Sequence, residues 1–160
     1  MWQGVFGFTN VVALLAWAVL VLAPRKPLPL AYVLYGGVAM LCLAYAAMFV
    51  GLVTMLVDPV RDPGLAEPDL LNYSVVGLKD LFRSEGAIVL GWTHYLALDL
   101  FTGLWIARDA DAKGFSRVFQ APFLVLTFMA GPLGLLVWLL VRERRARKSG
   151  WTRSGKTPAG

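Results

Sequence analysis

The chain has 160 residues, 58% of them hydrophobic and 16% charged, with a formal net charge of +5. A soluble domain carries nearer about a quarter of its residues charged, so this composition excludes a soluble globule and points to a polytopic membrane protein. The single cysteine, Cys42, excludes an internal disulfide. The basic residues crowd into Arg142 to Lys148, directly after the last apolar run. That reads as an anchor on anionic lipid rather than a nucleic-acid surface, and no nucleic-acid partner is expected.

Four apolar runs are expected to span. The first covers Val5 to Leu22. The preceding stretch MWQGVFGFTN lacks the positive charge of a cleavable signal, and none is expected. Three prolines in Ala23 to Pro29 predict a loop. The second run covers Leu30 to Val57, longer than the hydrocarbon requires. Asp58 to Asn72 is polar and acidic and reads as a loop.

Ser74 to Arg83 places Val75, Leu78 and Phe82 on one helical face against Lys79, Asp80 and Arg83. It is too short and too charged to cross, and reads as an interfacial amphipathic helix. Ser84 is the expected N-cap of the third span, which runs to Ala107. The fourth covers Val118 to Val141, with Pro122 in its first turn. Pro132 should bend it. Gln120, Leu124, Thr127, Gly131, Gly134 and Trp138 fall on one meridian of that helix. Small residues there predict that Gly131 or Gly134 packs on the third span, with an open slot for a long apolar ligand as the alternative.

The fold class is therefore all-α: a four-helix transmembrane bundle with one short interfacial amphipathic helix before the third span. Residues 1–141 form a single transmembrane domain and residues 142–160 a mobile basic tail. Four spans put both termini on one side, and the tail makes that side the cytoplasm. Arg25, Lys26, Arg108, Lys113 and Arg117 pull the other way. The expected location is a bacterial inner membrane.

Gly91 to Asp111 reads GWTHYLALDLFTGLWIARDAD and contains the only histidine, His94, together with Asp99. Ionisable groups at membrane depth are costly and mark function by default. On a helix the two lie about 140° apart and about 7.5 Å apart along the axis. They bound a polar arc with Gly91, Tyr95 and Thr102, expected to face the bundle interior. Desolvation raises a carboxyl pKa and lowers an imidazole pKa, which suits an acid–base pair. Which is acid and which is base stays open, as does a purely structural role. Substrate-binding candidates are Asn10, Tyr95, Phe101, Thr102, Trp105 and Thr127. An elongated apolar cavity is expected beside His94 and Asp99.

The remaining acids, Asp109 and Asp111, lie too far along a helix from Asp99 to share an ion. No metal and no other cofactor is expected. The chain contains no phosphate loop, no dinucleotide fingerprint and no Ser-His-Asp set.

The pattern His94-x-x-Ala97-x-Asp99-Leu100-Phe101-x-Gly103-x-Trp105, then Asp109-Ala110 and Gly114, resembles the abscisic-acid-deficient-4-like membrane proteins. So does the run Ala121 to Leu136, APFLVLTFMAGPLGLL. The resemblance is strongest from Leu81 to Val141. It implies carotenoid chemistry, since plant members are linked to formation of the allenic neoxanthin from the epoxide violaxanthin. Such an isomerisation needs no redox cofactor. It implies that His94 and Asp99, at the motif positions, protonate the epoxide oxygen and remove the C7 proton. The expected function is thus a neoxanthin-synthase-like isomerase acting on a carotenoid or other isoprenoid lipid. The alternative is a non-catalytic membrane protein that binds such a lipid or scaffolds a biosynthetic complex. A homodimer is compatible with either; a small transporter is a third reading.

Overall fold

The computed structural model describes residues 1–54, 56–57 and 74–150. The expected acidic loop, 58–72, and the tail beyond 150 lie outside the described residues. Among the described residues the chain is helical throughout, with no strand.

Helix α1 runs Trp2–Leu22 and starts three residues before the expected span. Helix α2 runs Pro27–Val53. Two of the prolines expected to keep this segment out of helix instead open it. Pro27 and Pro29 sit in the first turn, where backbone N–H groups have no intrahelical acceptor to lose. Arg25 donates from Nη1 to the Leu20 carbonyl at 2.7 Å and closes the end of α1. Within α2, Tyr32–Ala39 is wound as a π-helix, which the hydropathy pattern did not announce.

The short helix α3, Val75–Leu81, appears where the amphipathic segment was expected. Ser74 Oγ accepts from Gly77 N at 3.1 Å and caps it. At 1.5 Å per residue it is about 10 Å long and cannot cross a bilayer. Helix α4 spans Glu85–Ala112, five residues beyond the expected end. Ser84 is its cap as expected, accepting from Ala87 N at 3.2 Å. Among the described residues three helices, α1, α2 and α4, are long and apolar enough to span.

The fourth span is not one helix. It divides into α5, Arg117–Met129, and α6, Gly131–Gly150, with Ala130 outside helical conformation between them, at φ −153° and ψ 79°. Helix α6 carries the first basic residues of the expected tail, and Pro122 falls past the first turn of α5. In a continuous helix the Pro132 ring would clash with the carbonyl four residues earlier, that of Phe128. Pro132 also has no N–H to carry the ladder forward. The chain folds back there instead of bending.

Two compact units are present, Met1–Leu100 and Phe101–Gly160. In the first, α1 buries Thr9, Ala13, Ala16, Trp17 and Leu20, and α4 buries Val89, Thr93, Leu96, Ala97 and Leu100. Both sets follow the three-to-four-residue period of a helix face. A Cβ on Gly86 would lie 2.7 Å from Trp2 and 2.9 Å from Leu52. A Cβ on Gly37 would lie 2.7 Å from Ala16 and 2.8 Å from Leu100. These contacts fix directions: α1 and α4 run parallel, and α2 runs antiparallel to both.

In the second unit α5 and α6 form an antiparallel hairpin. Trp138 on α6 meets Phe123 on α5 with ring centroids 5.5 Å apart. In a straight helix those residues would be separated by about 22 Å. Gln120, Leu124, Thr127 and Trp138 are indeed buried, on two arms rather than on one meridian. Gly134 packs on Thr127 of α5, not on the third span as expected, because the fold-back brings that surface to it.

Candidate functional site

Helix α4 presents two unlike faces. His94, Leu98, Phe101 and Trp105 recur at helical spacing and are exposed. Thr93, Leu96, Ala97 and Leu100 are buried, and Asp99 joins them at 8% exposure. Tyr95 and Thr102 sit at the border. His94 thus lies on the outer face, and the arc between His94 and Asp99 straddles the edge rather than lining the interior. The opposite exposures follow from the angle of about 140° between them.

His94 is not alone on that face. Its ring centroid lies 5.5 Å from that of Tyr45 on α2, at an interplanar angle of 53°. Tyr45 in turn stacks on Phe49 at 6.1 Å. This is an aromatic strip carrying one imidazole, about 14 Å along α4 from its start. Tyr45 was not among the expected residues. Only the packing of α2 against α4 brings it to His94, and no sequence spacing encodes that.

Asn10, a substrate-binding candidate, bonds across helices. Its Oδ1 accepts from Trp92 Nε1 at 3.2 Å, while its Nδ2 donates to the Phe6 carbonyl at 2.7 Å. Trp92 also meets Phe6 at 5.9 Å and Tyr95 at 5.5 Å between centroids. Asn10 and Tyr95 are therefore joined through Trp92. A cavity of about 270 Å³ opens beside this group, lined by Trp2, Gln3, Phe6, Glu85, Ile88 and Val89. Neither His94 nor Asp99 lines that cavity. Thr127 is spent elsewhere: it is fully buried and donates to the Phe123 carbonyl at 2.7 Å.

The second unit holds a polar cluster that sequence reading treated only as scattered charges. Asp109 on α4 accepts from Arg142 Nε at 3.0 Å and Nη2 at 3.2 Å. It also accepts from Trp138 Nε1 at 3.0 Å and from Lys113 Nζ at 2.5 Å. The Arg142 guanidinium lies 5.5 Å from the Trp105 ring centroid, a cation–π distance. Trp105, expected to touch substrate, is thus engaged with Arg142. Nearby, Gln120 Nε2 donates to Asp111 Oδ1 at 2.6 Å and to the Phe115 carbonyl at 3.0 Å. The Asp109–Lys113 spacing of four was a readable clue. Arg142 and Trp138 arrive only because the hairpin returns.

Apolar helices of spanning length, with an imidazole at mid-helix, define the class: a helical membrane protein. The chain belongs to the ABA4-like family (ABA DEFICIENT 4-like), whose model matches residues 4–138. That match takes in His94, Asp99, Asp109 and the hairpin as far as Trp138, and reaches well before the motifs around α4. No curated protein and no solved structure gives a significant match.

Proposed function

We propose that this protein acts in the membrane on a carotenoid or other isoprenoid lipid, isomerising it by acid–base chemistry. The observation that supports the reading is His94: an imidazole at mid-helix, exposed beside Tyr45, in a chain of the ABA4-like family. Imidazole exchanges protons near neutral pH, and a group on the outer face meets a ligand that arrives through lipid. The rings of Tyr45 and Phe49 beside His94 offer apolar contact along a polyene.

For an epoxide substrate the balance closes without a redox partner. An acid protonates the epoxide oxygen and one C–O bond breaks. A base then removes the proton from the adjacent vinylic carbon, and an allenic alcohol results. His94 and Asp99 are the pair assigned to this exchange. Tyr95, Thr102 and Phe101 border them on α4, and Asn10 reaches the same helix through Trp92.

The opposite exposure of His94 and Asp99 favours a second reading, in which the outer strip binds the lipid without turnover. Expression in a carotenoid-producing host, with pigment and lipid profiling, separates the two. Catalysis gives a converted pigment that is lost in His94→Ala and in Asp99→Asn. Binding alone gives a pigment that co-purifies unchanged and is lost only in His94→Ala. No co-purifying pigment and no altered profile overturns both.

A further inference from the structure

The hairpin α5–α6 is graded in polarity along its length. At its base lie Lys113, Asp109, Asp111, Arg117, Gln120 and Arg142. At its tip lie Phe128, Met129 and Leu133, with Met129 70% and Leu133 50% exposed. Its flanks are apolar too: Val125, Leu136 and Leu140 are exposed. Each arm between base and tip is about 18–20 Å long, short of a hydrocarbon core of about 30 Å. A segment of this length and polarity fits insertion from one side and return to it.

We propose that α5–α6 is a re-entrant hairpin whose apolar tip is seated in the hydrocarbon of one leaflet, and that the chain crosses the membrane three times. Part of the turn's backbone is paired within the chain: Ala130 N donates to the Leu126 carbonyl at 2.8 Å, Gly134 N donates to the Ala130 carbonyl at 3.0 Å, and Pro132 has no N–H to satisfy.

Charge supplies an independent argument. With one crossing each by α1, α2 and α4, residues 23–26 follow the first crossing and the end of α4 follows the third, so both emerge on the same face. A re-entrant hairpin returns Arg142 and all that follows to that face as well. All of the 15 lysines and arginines except Arg61, Lys79 and Arg83 then belong to one side or its headgroup layer. The connection 54–84, on the other side, carries five acids against those three bases. The conflict that four crossings create, with Arg25, Lys26, Lys113 and Arg117 opposing the tail, disappears. The basic face is the cytoplasmic one, against anionic headgroups, and the N-terminus lies on the opposite side.

The test uses the full chain with Cys42→Ala and one new cysteine at a time: Gln3→Cys, Lys26→Cys, Ala112→Cys, Met129→Cys or Lys156→Cys. A membrane-impermeant maleimide is applied to intact cells and to inverted membrane vesicles. Lys26→Cys, Ala112→Cys and Lys156→Cys should label only in inverted vesicles, Gln3→Cys only in intact cells, and Met129→Cys in neither. Labelling of Ala112→Cys and Lys156→Cys from opposite faces, or of Gln3→Cys and Lys156→Cys from the same face, overturns the proposal. So does labelling of Met129→Cys from either side. Reporter fusions at the two ends of the unsubstituted chain give a second reading and should report opposite faces; the same face overturns it.

Discussion

Gly134 lies directly on the backbone of Thr127, so that a Cβ at position 134 would sit 2.5 Å from Thr127 N and 2.6 Å from its Cα. Those atoms are main chain and cannot rotate aside. Gly134→Leu should therefore pry the hairpin open. The expected loss is about 1–3 kcal/mol, the usual range for overpacking. Thermal unfolding in detergent reads it as a lower Tm. An unchanged Tm would mean that α6 does not return along α5.

Asp109 ties three side chains together across 33 residues of sequence, with Arg142 25% and Asp109 12% exposed at the side chain. Asp109→Ala leaves Arg142 and Lys113 without their carboxylate at the hairpin base. Loss of hydrogen bonds to a charged group is expected to destabilise by about 1.5–3 kcal/mol. Arg142→Lys keeps the charge and loses the two-nitrogen fork, so it should fall between wild type and Asp109→Ala. Chemical unfolding followed by tryptophan emission measures both, since Trp138 donates to the same carboxylate.

Two glycines predict opposite outcomes for one substitution. Gly37→Ala would bring a methyl to 2.7 Å from the Ala16 methyl, which is fixed to its backbone. It should destabilise the first unit. Gly4→Ala meets nothing within 4 Å and lies inside α1. It should be neutral or stabilising by up to about 1 kcal/mol, from helix propensity. The comparison of the two Tm values checks that the first unit packs through Gly37.

Asn10→Ala removes the acceptor of the Trp92 indole at 3.2 Å. A loss of about 0.5–1.5 kcal/mol is expected, together with a shift in indole emission. Asn10→Asp keeps an acceptor and should retain more of the stability. If both variants behave alike, the Asn10–Trp92 bond does not hold α1 to α4.

The sequence by itself determined the helical membrane class, the three long spans, the short amphipathic helix and the cap at Ser84. These depend on local quantities: apolar run length, helical period and the hydrogen-bonding habit of serine before a helix. It also singled out His94 and Asp99, because an ionisable group in an apolar run is visible without coordinates. Only the tertiary structure decided which face each takes, that Tyr45 joins His94, and that Trp138 and Arg142 converge on Asp109. It also decided that the fourth apolar run turns back at Ala130. A run of hydrophobic residues records how much surface must leave water, not in which direction the chain travels once it has left. Pro132 and the neighbouring glycines marked a weak point in the helix; whether it bends or reverses depends on what surface waits for each arm, and here Thr127 and the Asp109 carboxylate receive α6 on its return.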